Sequence, residues 1–387
     1  MTAPAARPDT AMGRALAERV ASHLAQQASP GAGLIDLTQD KVVVTPVSVR
    51  EAAKAALDEG ETHYTAGSGI PELRDALAEQ LTVEGFPVEA AGLGITNGGT
   101  EAIYIALQSA LRPGDRALYV EPMSPHIVQM LRFIGAEPVP IVTRPDDGFL
   151  PPLTALDTAE ARLLLLASPS PITGKLIPSE YLAAIIAAAR EREMAVILDR
   201  SYAPGVYEPQ AAFPDAALAR QIVTVGSFSA VHGLTGWRVG YYSAPPAEVG
   251  AFNNLKQSMS ICTTAVSQFA ARAALVDAPQ WLAERKLRFA AARDTAVARL
   301  SAAELHVVEP DALPPLLIDA RAFGDDMALT ERLAGEFGVW VEQGTRFGAS
   351  TAGFLRINLG APQETLDAGL ERLSDALSEL LRDAGHA

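Results

Sequence analysis

The stretch RLLLLASPSPITGKLIPSEYLAAIIAAAREREMAVILD, residues 162–199, decides the fold class. RLLLLAS is an apolar run too short for a helix, and the Pro- and Ser-rich SPSPITG bounds it. SEYLAAIIAAARERE then places its aliphatic residues at helical spacing, and AVILD returns to a strand-like run. A strand, a helix and a second strand in this order build a parallel sheet with helices on its faces. RALYV at 116–120 and QIVTVGSFS at 221–229 extend the alternation to both sides, which predicts an α/β centre around a largely parallel, helix-covered sheet.

Toward the N-terminus, Pro71 predicts a helix start, and Leu73, Leu77 and Leu81 mark its buried face. Ser48 followed by Glu51 predicts a capping box opening an earlier helix. The first 30 or so residues are rich in Ala, Pro and polar side chains and read as a loose arm. Within them AMGRALAERVASHLAQQ is compatible with one amphipathic helix that packs on a partner subunit. Toward the C-terminus, ERKLRFAAARDTAVARLSAAE predicts a long helix, LPPLLIDA, VWVEQG and FLRINLG predict strands, and a final amphipathic helix follows. The expected division is an arm over residues 1–45, a large domain over 46–285, and a smaller α+β domain over 286–387 that takes in part of the arm.

The formal charge of −15, from 31 basic and 46 acidic residues, argues against a nucleic-acid or anionic-membrane surface and toward a small-molecule ligand. Cys262 is the only cysteine, so an intrachain disulfide and cysteine-rich metal ligation are excluded. No apolar stretch approaches the length of a membrane span, and MTAPAARPDTAMGRALAERV lacks the apolar core of a secretion signal. The expectation is a cytoplasmic protein with no metal.

In open α/β sheets ligands sit at the carboxyl ends of strands. Asp199 ends AVILD, the segment Ser227 to Arg238 follows QIVTVG, and Gly98, Gly99 and Thr100 open the helical TEAIYIALQSAL. These places offer an acid, a cluster of hydroxyls with an arginine, and a helix N-terminus with bare N–H groups. Each alone has a bland reading, since a strand-end Asp is often a helix cap and an Arg is often a surface ion pair. His126 and His232 are, taken singly, structural histidines.

From about Leu37 nearly to the end, the chain resembles the fold type I pyridoxal-phosphate (PLP) enzymes of the class I/II aminotransferase family, a resemblance that implies a mostly parallel, seven-stranded-type sheet in the large domain. Six motifs carry the resemblance in order: HYTAGSGIPELR at 63–74, NGGTEA at 97–102, SPSPITGKLIP at 168–178, LDRSY at 198–202, SFSAVHGLTGWRVGY at 227–241 and FLRINLG at 354–360. The resemblance implies pyridoxal 5′-phosphate as cofactor, with Asp199 on the pyridine nitrogen and Tyr202 on the ring hydroxyl. It implies Ser227, Ser229, Arg238 and the N–H groups of Gly99 and Thr100 on the phosphate, with Tyr64 reaching in from the second subunit of a homodimer. Arg356 takes the carboxylate of an amino-acid substrate as a bidentate fork.

Four departures bear on chemistry and substrate. The family's Schiff-base lysine falls on Ala230, and no lysine lies between Lys175 and Lys256. The alternatives are a Lys-to-Ala change that traps a substrate–cofactor complex, and a natural lysine-less site with His232 as base. The position of the ring-stacking aromatic is Ser124, with His126 able to fill in, and the position of the asparagine in the proline-rich loop offers Ser170 and Pro171. The glycine after the first strand is missing from LTQDK, residues 37–41. A more open pocket suits an unusual or bulky substrate.

The function implied is an aminotransferase-like reaction at an α-amino group. The alternative is β/γ-elimination, replacement or carbon–carbon bond formation on a bulky amino acid such as S-adenosylmethionine. A non-catalytic PLP-binding protein is the third reading. A DNA-binding regulator is not expected, since only about 45 residues precede the first core motif and they hold no basic recognition helix.

Overall fold

Parallel pairing of the two strands in residues 162–199 sets the architecture. A computed structural model describes residues 33–38, 44–157 and 160–384. The expected arm helix and the QDK of LTQDK lie outside the described residues. The strands in chain order are β1 Ile35–Asp36, β2 Leu93–Thr96, β3 Arg116–Val120, β4 Glu137–Ile141, β5 Leu163–Ala167, β6 Ala195–Asp199, β7 Val223–Ser227 and β8 Gly240–Ser243. The C-terminal part adds β9 Val307–Val308, β10 Pro315–Asp319, β11 Val339–Trp340, β12 Glu342–Gln343 and β13 Phe354–Asn358.

A seven-stranded sheet runs β2-β8-β7-β6-β5-β3-β4, parallel from β7 to β4 and antiparallel where β8 meets β2 and β7. β5 and β6 pair from Leu163↔Ala195 to Ala167↔Asp199, so their carboxyl ends are level. The helix Ser179–Glu191 between them starts behind Pro178 and buries Leu182, Ile185, Ile186 and Ala189 against the sheet. That spacing is one helical stripe, and the fixed φ of proline preorganises the start. The helix Gly99–Ala110 packs Ala102, Ile103, Ala106 and Leu107 on the other core, with Tyr119, Leu165 and Tyr242.

The helix Pro71–Val83 buries Leu73, Leu77 and Leu81 as its spacing predicts. Leu73 has no exposed surface. Leu73→Ala should lower unfolding free energy by about 2–5 kcal/mol, read from urea midpoints at constant m-value. The capping box does not form: the preceding helix begins at Val47 behind Pro46 with no side-chain cap, which puts Ser48 inside the first turn, and Glu51 pairs with Lys54 at 2.8 Å.

Beyond the long helix Pro279–Ala302, which crosses the boundary expected at 285, a four-stranded antiparallel sheet runs β12-β13-β10-β9. VWVEQG divides into β11 and β12, and β11 pairs in parallel with β1 in a separate two-stranded sheet. The closing helix Gln363–Ala384 buries Leu366, Leu370, Leu373, Leu377 and Leu380 at helical spacing against Leu37, Leu316 and Ile357. No helix among the described residues is long and apolar enough to cross a membrane.

Candidate active site

Two strand ends and one helix start converge because the sheet aligns them. Asp199 closes β6 and Ser227 closes β7, with Ser168 N–H donating to the Asp199 carbonyl at 3.0 Å. The register Ser227↔Gly240 returns the chain from the loop beside the helix start at Gly99. A Cβ on Gly240 would fall 2.5 Å from Gly98 C and Gly99 N, so only glycine permits that approach. Gly98 has φ +87° and presses on the Arg238 guanidinium, so a side chain there would displace it. Arg238 itself is left-handed, φ +55° and ψ +59°, a conformation unfavourable for a side-chain-bearing residue. Its Nη1 donates to Thr235 O at 3.1 Å and Ser229 Oγ at 3.3 Å.

A cavity of about 380 Å³ opens there. Gly99, Thr100, Asp199, Tyr202, Ser227, Ser229, Ala230 and Arg238 line it, as do Glu342, Arg346, Phe347 and Arg356 from the C-terminal part. Burial pushes the Asp199 carboxyl above its usual range, and hydrogen bonds from Ser201 oppose this. Its Oδ1 accepts the Ser201 N–H at 2.8 Å. A buried carboxylate with so little compensation is matched by a cationic N–H. The helix N-terminus with Ser227, Ser229 and Arg238 supplies donors and positive charge for a phosphate dianion. The residues present therefore fit a phosphorylated, protonated pyridine.

Other expected residues fall differently. Ser124 lines the cavity, its Oγ 2.8 Å from His126 Nδ1, and His126 stands in the same wall. Pro171 lines it too, but Ser170 does not: its Oγ accepts the Ile172 and Thr173 N–H groups at 3.3 Å, closing its own turn, and it lines a smaller neighbouring cavity. Tyr64 is 81% exposed and outside the cavity of its own chain. His232 is buried against Phe228, ring centroids 5.2 Å apart, and does not line the cavity. Burial lowers its pKa to about 4. His232 is outside the cavity lining and burial makes it a weak base, so the structure does not place it to serve a substrate held there, and the expectation of His232 as substitute base is corrected.

No lysine lines the cavity among the described residues. The backbone at Ala230 is anchored from behind, since Arg285 Nη2 donates to its carbonyl at 3.1 Å. Burial lowers the Arg285 pKa to about 10. Arg285, Glu342 and Arg346 were not singled out from sequence. Glu342 stands opposite Arg356 in the β12–β13 register, and both of its oxygens are engaged, Oε2 by Arg356 Nη1 and Oε1 by Arg346 Nη1 at 3.0 Å. An acid within the apolar VWVEQG was the available signal.

The family model for aminotransferase class I and II matches residues 31–373. The chain is 30% identical over 341 residues to the aspartate/prephenate aminotransferase of Thermus thermophilus, covering 86% of this chain and 88% of the relative. It is 31% identical over 352 residues to a probable aspartate/prephenate aminotransferase of Aquifex aeolicus, covering 87% and 89%. Among solved structures, aspartate aminotransferase from Thermus thermophilus with maleate superposes at TM-score 0.83, with 29% identity over 93% of this chain and 95% of that one. The aromatic aminotransferase from Pyrococcus horikoshii superposes at 0.85, with 26% identity over 92% and 98%.

Proposed function

Since the chain belongs to the class I and II aminotransferase family, with the fold type I architecture and pyridoxal 5′-phosphate dependence of that family, we propose that its cavity binds the cofactor and an amino acid while residue 230, the lysine position, carries alanine. The observation that supports this most is the retention of Asp199, Tyr202, Ser227, Ser229 and Arg238 around Ala230 in one cavity. A site that had drifted to another use has no reason to keep the strained Arg238 backbone or the glycine packing beneath it.

When bound, pyridoxal 5′-phosphate supplies an electron sink for the pair left at a substrate α-carbon. Asp199 keeps the proton on the ring nitrogen, and Tyr202 hydrogen-bonds the ring hydroxyl. The N–H groups of Gly99 and Thr100, with Ser227, Ser229 and Arg238, hold the phosphate and so fix the ring. Arg356 orients the substrate carboxylate, which settles which face of the α-carbon is presented. With alanine at 230 there is no amine to anchor the cofactor covalently or to move a proton at the α-carbon, so substrate is held but turned over orders of magnitude more slowly than with lysine there.

The relatives reported above are aminotransferases, so amino-group transfer is preferred over elimination, replacement or carbon–carbon bond formation. Tyr64, exposed on its own chain, serves the partner's cofactor in a homodimer; this and the division at residues 45 and 285 belong to the same proposal. Arg238→Gln tests the reading. Removing a hydrogen-bonded charge worth about 1.5–3 kcal/mol should raise the calorimetric Kd for pyridoxal 5′-phosphate by roughly 10–100-fold. Unchanged affinity in the folded variant would refute the assignment of the phosphate site.

A further inference from the structure

Lys256, on the helix Val249–Ser260, has no exposed side-chain surface and packs against the start of the helix Gly99–Ala110. Its ammonium donates to Ser260 Oγ at 2.7 Å and stands 3.3 Å from Glu101 Oε2. Glu101, in the first turn of the helix Gly99–Ala110, accepts the Asn97 N–H on Oε2 at 2.6 Å and the Asn97 side-chain amide on Oε1 at 3.3 Å. These bonds pin the residue two before Gly99, and the turn runs on through Gly98 to Gly99 and Thr100, which line the cavity. Neither Glu101 nor Lys256 lines it. Burial opposes the charged form of Glu101, yet hydrogen bonds from Ser260 and Asn97 and the charge of Lys256 hold its carboxyl below the usual range. A fully buried ammonium loses its hydration, and the pair with Glu101 is its compensation.

We infer that Lys256 is a positioning residue for the cofactor phosphate: it cancels the charge of Glu101, so that the carboxylate pinning the turn at 97–100 does not repel the anion which that turn receives. The inference rests on the reading of Gly99 and Thr100 as phosphate donors. A carboxylate is itself favoured at a helix N-terminus, where the N–H dipoles attract negative charge. A phosphate dianion at the same N-terminus draws on the same dipoles, and an unpaired carboxylate beside it repels it through mostly buried surroundings, where salt screens weakly. With the ammonium in contact, Glu101 keeps its hydrogen bonds to Asn97 while the pair adds no net charge behind the phosphate. Glu101 thus holds the shape of the turn, and Lys256 keeps that turn fit for an anion.

Calorimetric titration of the unaltered chain, Lys256→Gln, Glu101→Gln and the double variant, each with pyridoxal 5′-phosphate and with pyridoxal, reads the preference for the phosphate as the ratio of the two Kd values. Glutamine at 256 retains a donor but no charge, and glutamine at 101 retains an acceptor for the Asn97 N–H. Lys256→Gln should lower the preference by about tenfold, since the Glu101 charge then faces a dianion uncancelled. Glu101→Gln should keep or raise it, and the double variant should return to within about threefold of the unaltered chain. An unchanged preference in Lys256→Gln overturns the inference, as does a double variant that stays as low as Lys256→Gln. A preference lowered in both single variants also overturns it and makes the pair a brace of the turn. Should Lys256→Gln not fold, Glu101→Gln decides alone: a kept or raised preference supports the charge balance and a lowered one overturns it. No preference for the phosphorylated form in the unaltered chain overturns the phosphate site itself, and the inference falls with it.

Discussion

Replacing Ala230 with lysine is expected to create a cofactor-bound enzyme whose amino-transfer rate exceeds that of the unaltered chain by about 10²–10⁴-fold, the usual worth of a positioned acid–base group. The position faces the cavity, and its carbonyl is fixed by Arg285, so the new side chain starts from a held backbone. The variant should also retain pyridoxal 5′-phosphate through borohydride reduction and denaturation, seen as added mass on the peptide carrying residue 230. Turnover is measured as 2-oxo acid formed from an amino acid. No covalent retention, or retention at another lysine, would mean that residue 230 is not the lysine position.

The second large effect concerns Asp199, and its sign differs between the free and the loaded protein. Burial raises the pKa of this carboxyl, so without cofactor its charge opposes folding. The folded pKa lies above the unfolded one, so any stability tied to the protonated form is present below the unfolded value and lost as pH rises through the folded one. Asp199→Asn should therefore leave the Tm of the cofactor-free protein near neutral pH equal or higher. In the Ala230→Lys background the same change should lower kcat/KM by roughly 10–100-fold, the worth of one hydrogen bond between charged groups, about 1.5–3 kcal/mol at 1.36 kcal/mol per decade. Thermal melts without cofactor and kinetics with it separate the two. A drop in the cofactor-free Tm with unchanged kinetics would make Asp199 a structural residue.

Legibility in the sequence followed how local each feature is. The β5–helix–β6 unit could be read because Leu182, Ile185, Ile186 and Ala189 repeat at helical spacing between two aliphatic runs. The closing helix and Leu73, Leu77 and Leu81 follow the same rule. The helix starting at Val47 was placed by Pro46, whose fixed φ decides the entry before Ser48 can cap it. VWVEQG contains two strands of two residues each in different sheets: the first pairs with β1, far away in sequence, while the second pairs with β13, the next strand along the chain.

The same division runs through the site. Asp199, Ser227 and Gly99 could be found because strand ends and helix starts are local signals that the sheet brings together. Ser170 and Pro171 are neighbours, yet only Pro171 reaches the cavity, because the Ser170 hydroxyl is held by its own turn. His232 lies two residues from Ala230, and the loop turns it behind Phe228. Glu342 gains its meaning only from a cross-strand register with Arg356 and an i,i+4 relation to Arg346, which a two-residue strand does not advertise.

The most direct test is calorimetric titration of the unaltered chain with pyridoxal 5′-phosphate and, separately, with pyridoxal. The account predicts one molecule of pyridoxal 5′-phosphate per chain, at least about tenfold tighter than pyridoxal, because the contacts of Gly99, Thr100, Ser227, Ser229 and Arg238 are made to the phosphate. No binding, or equal affinity for the two, would contradict it.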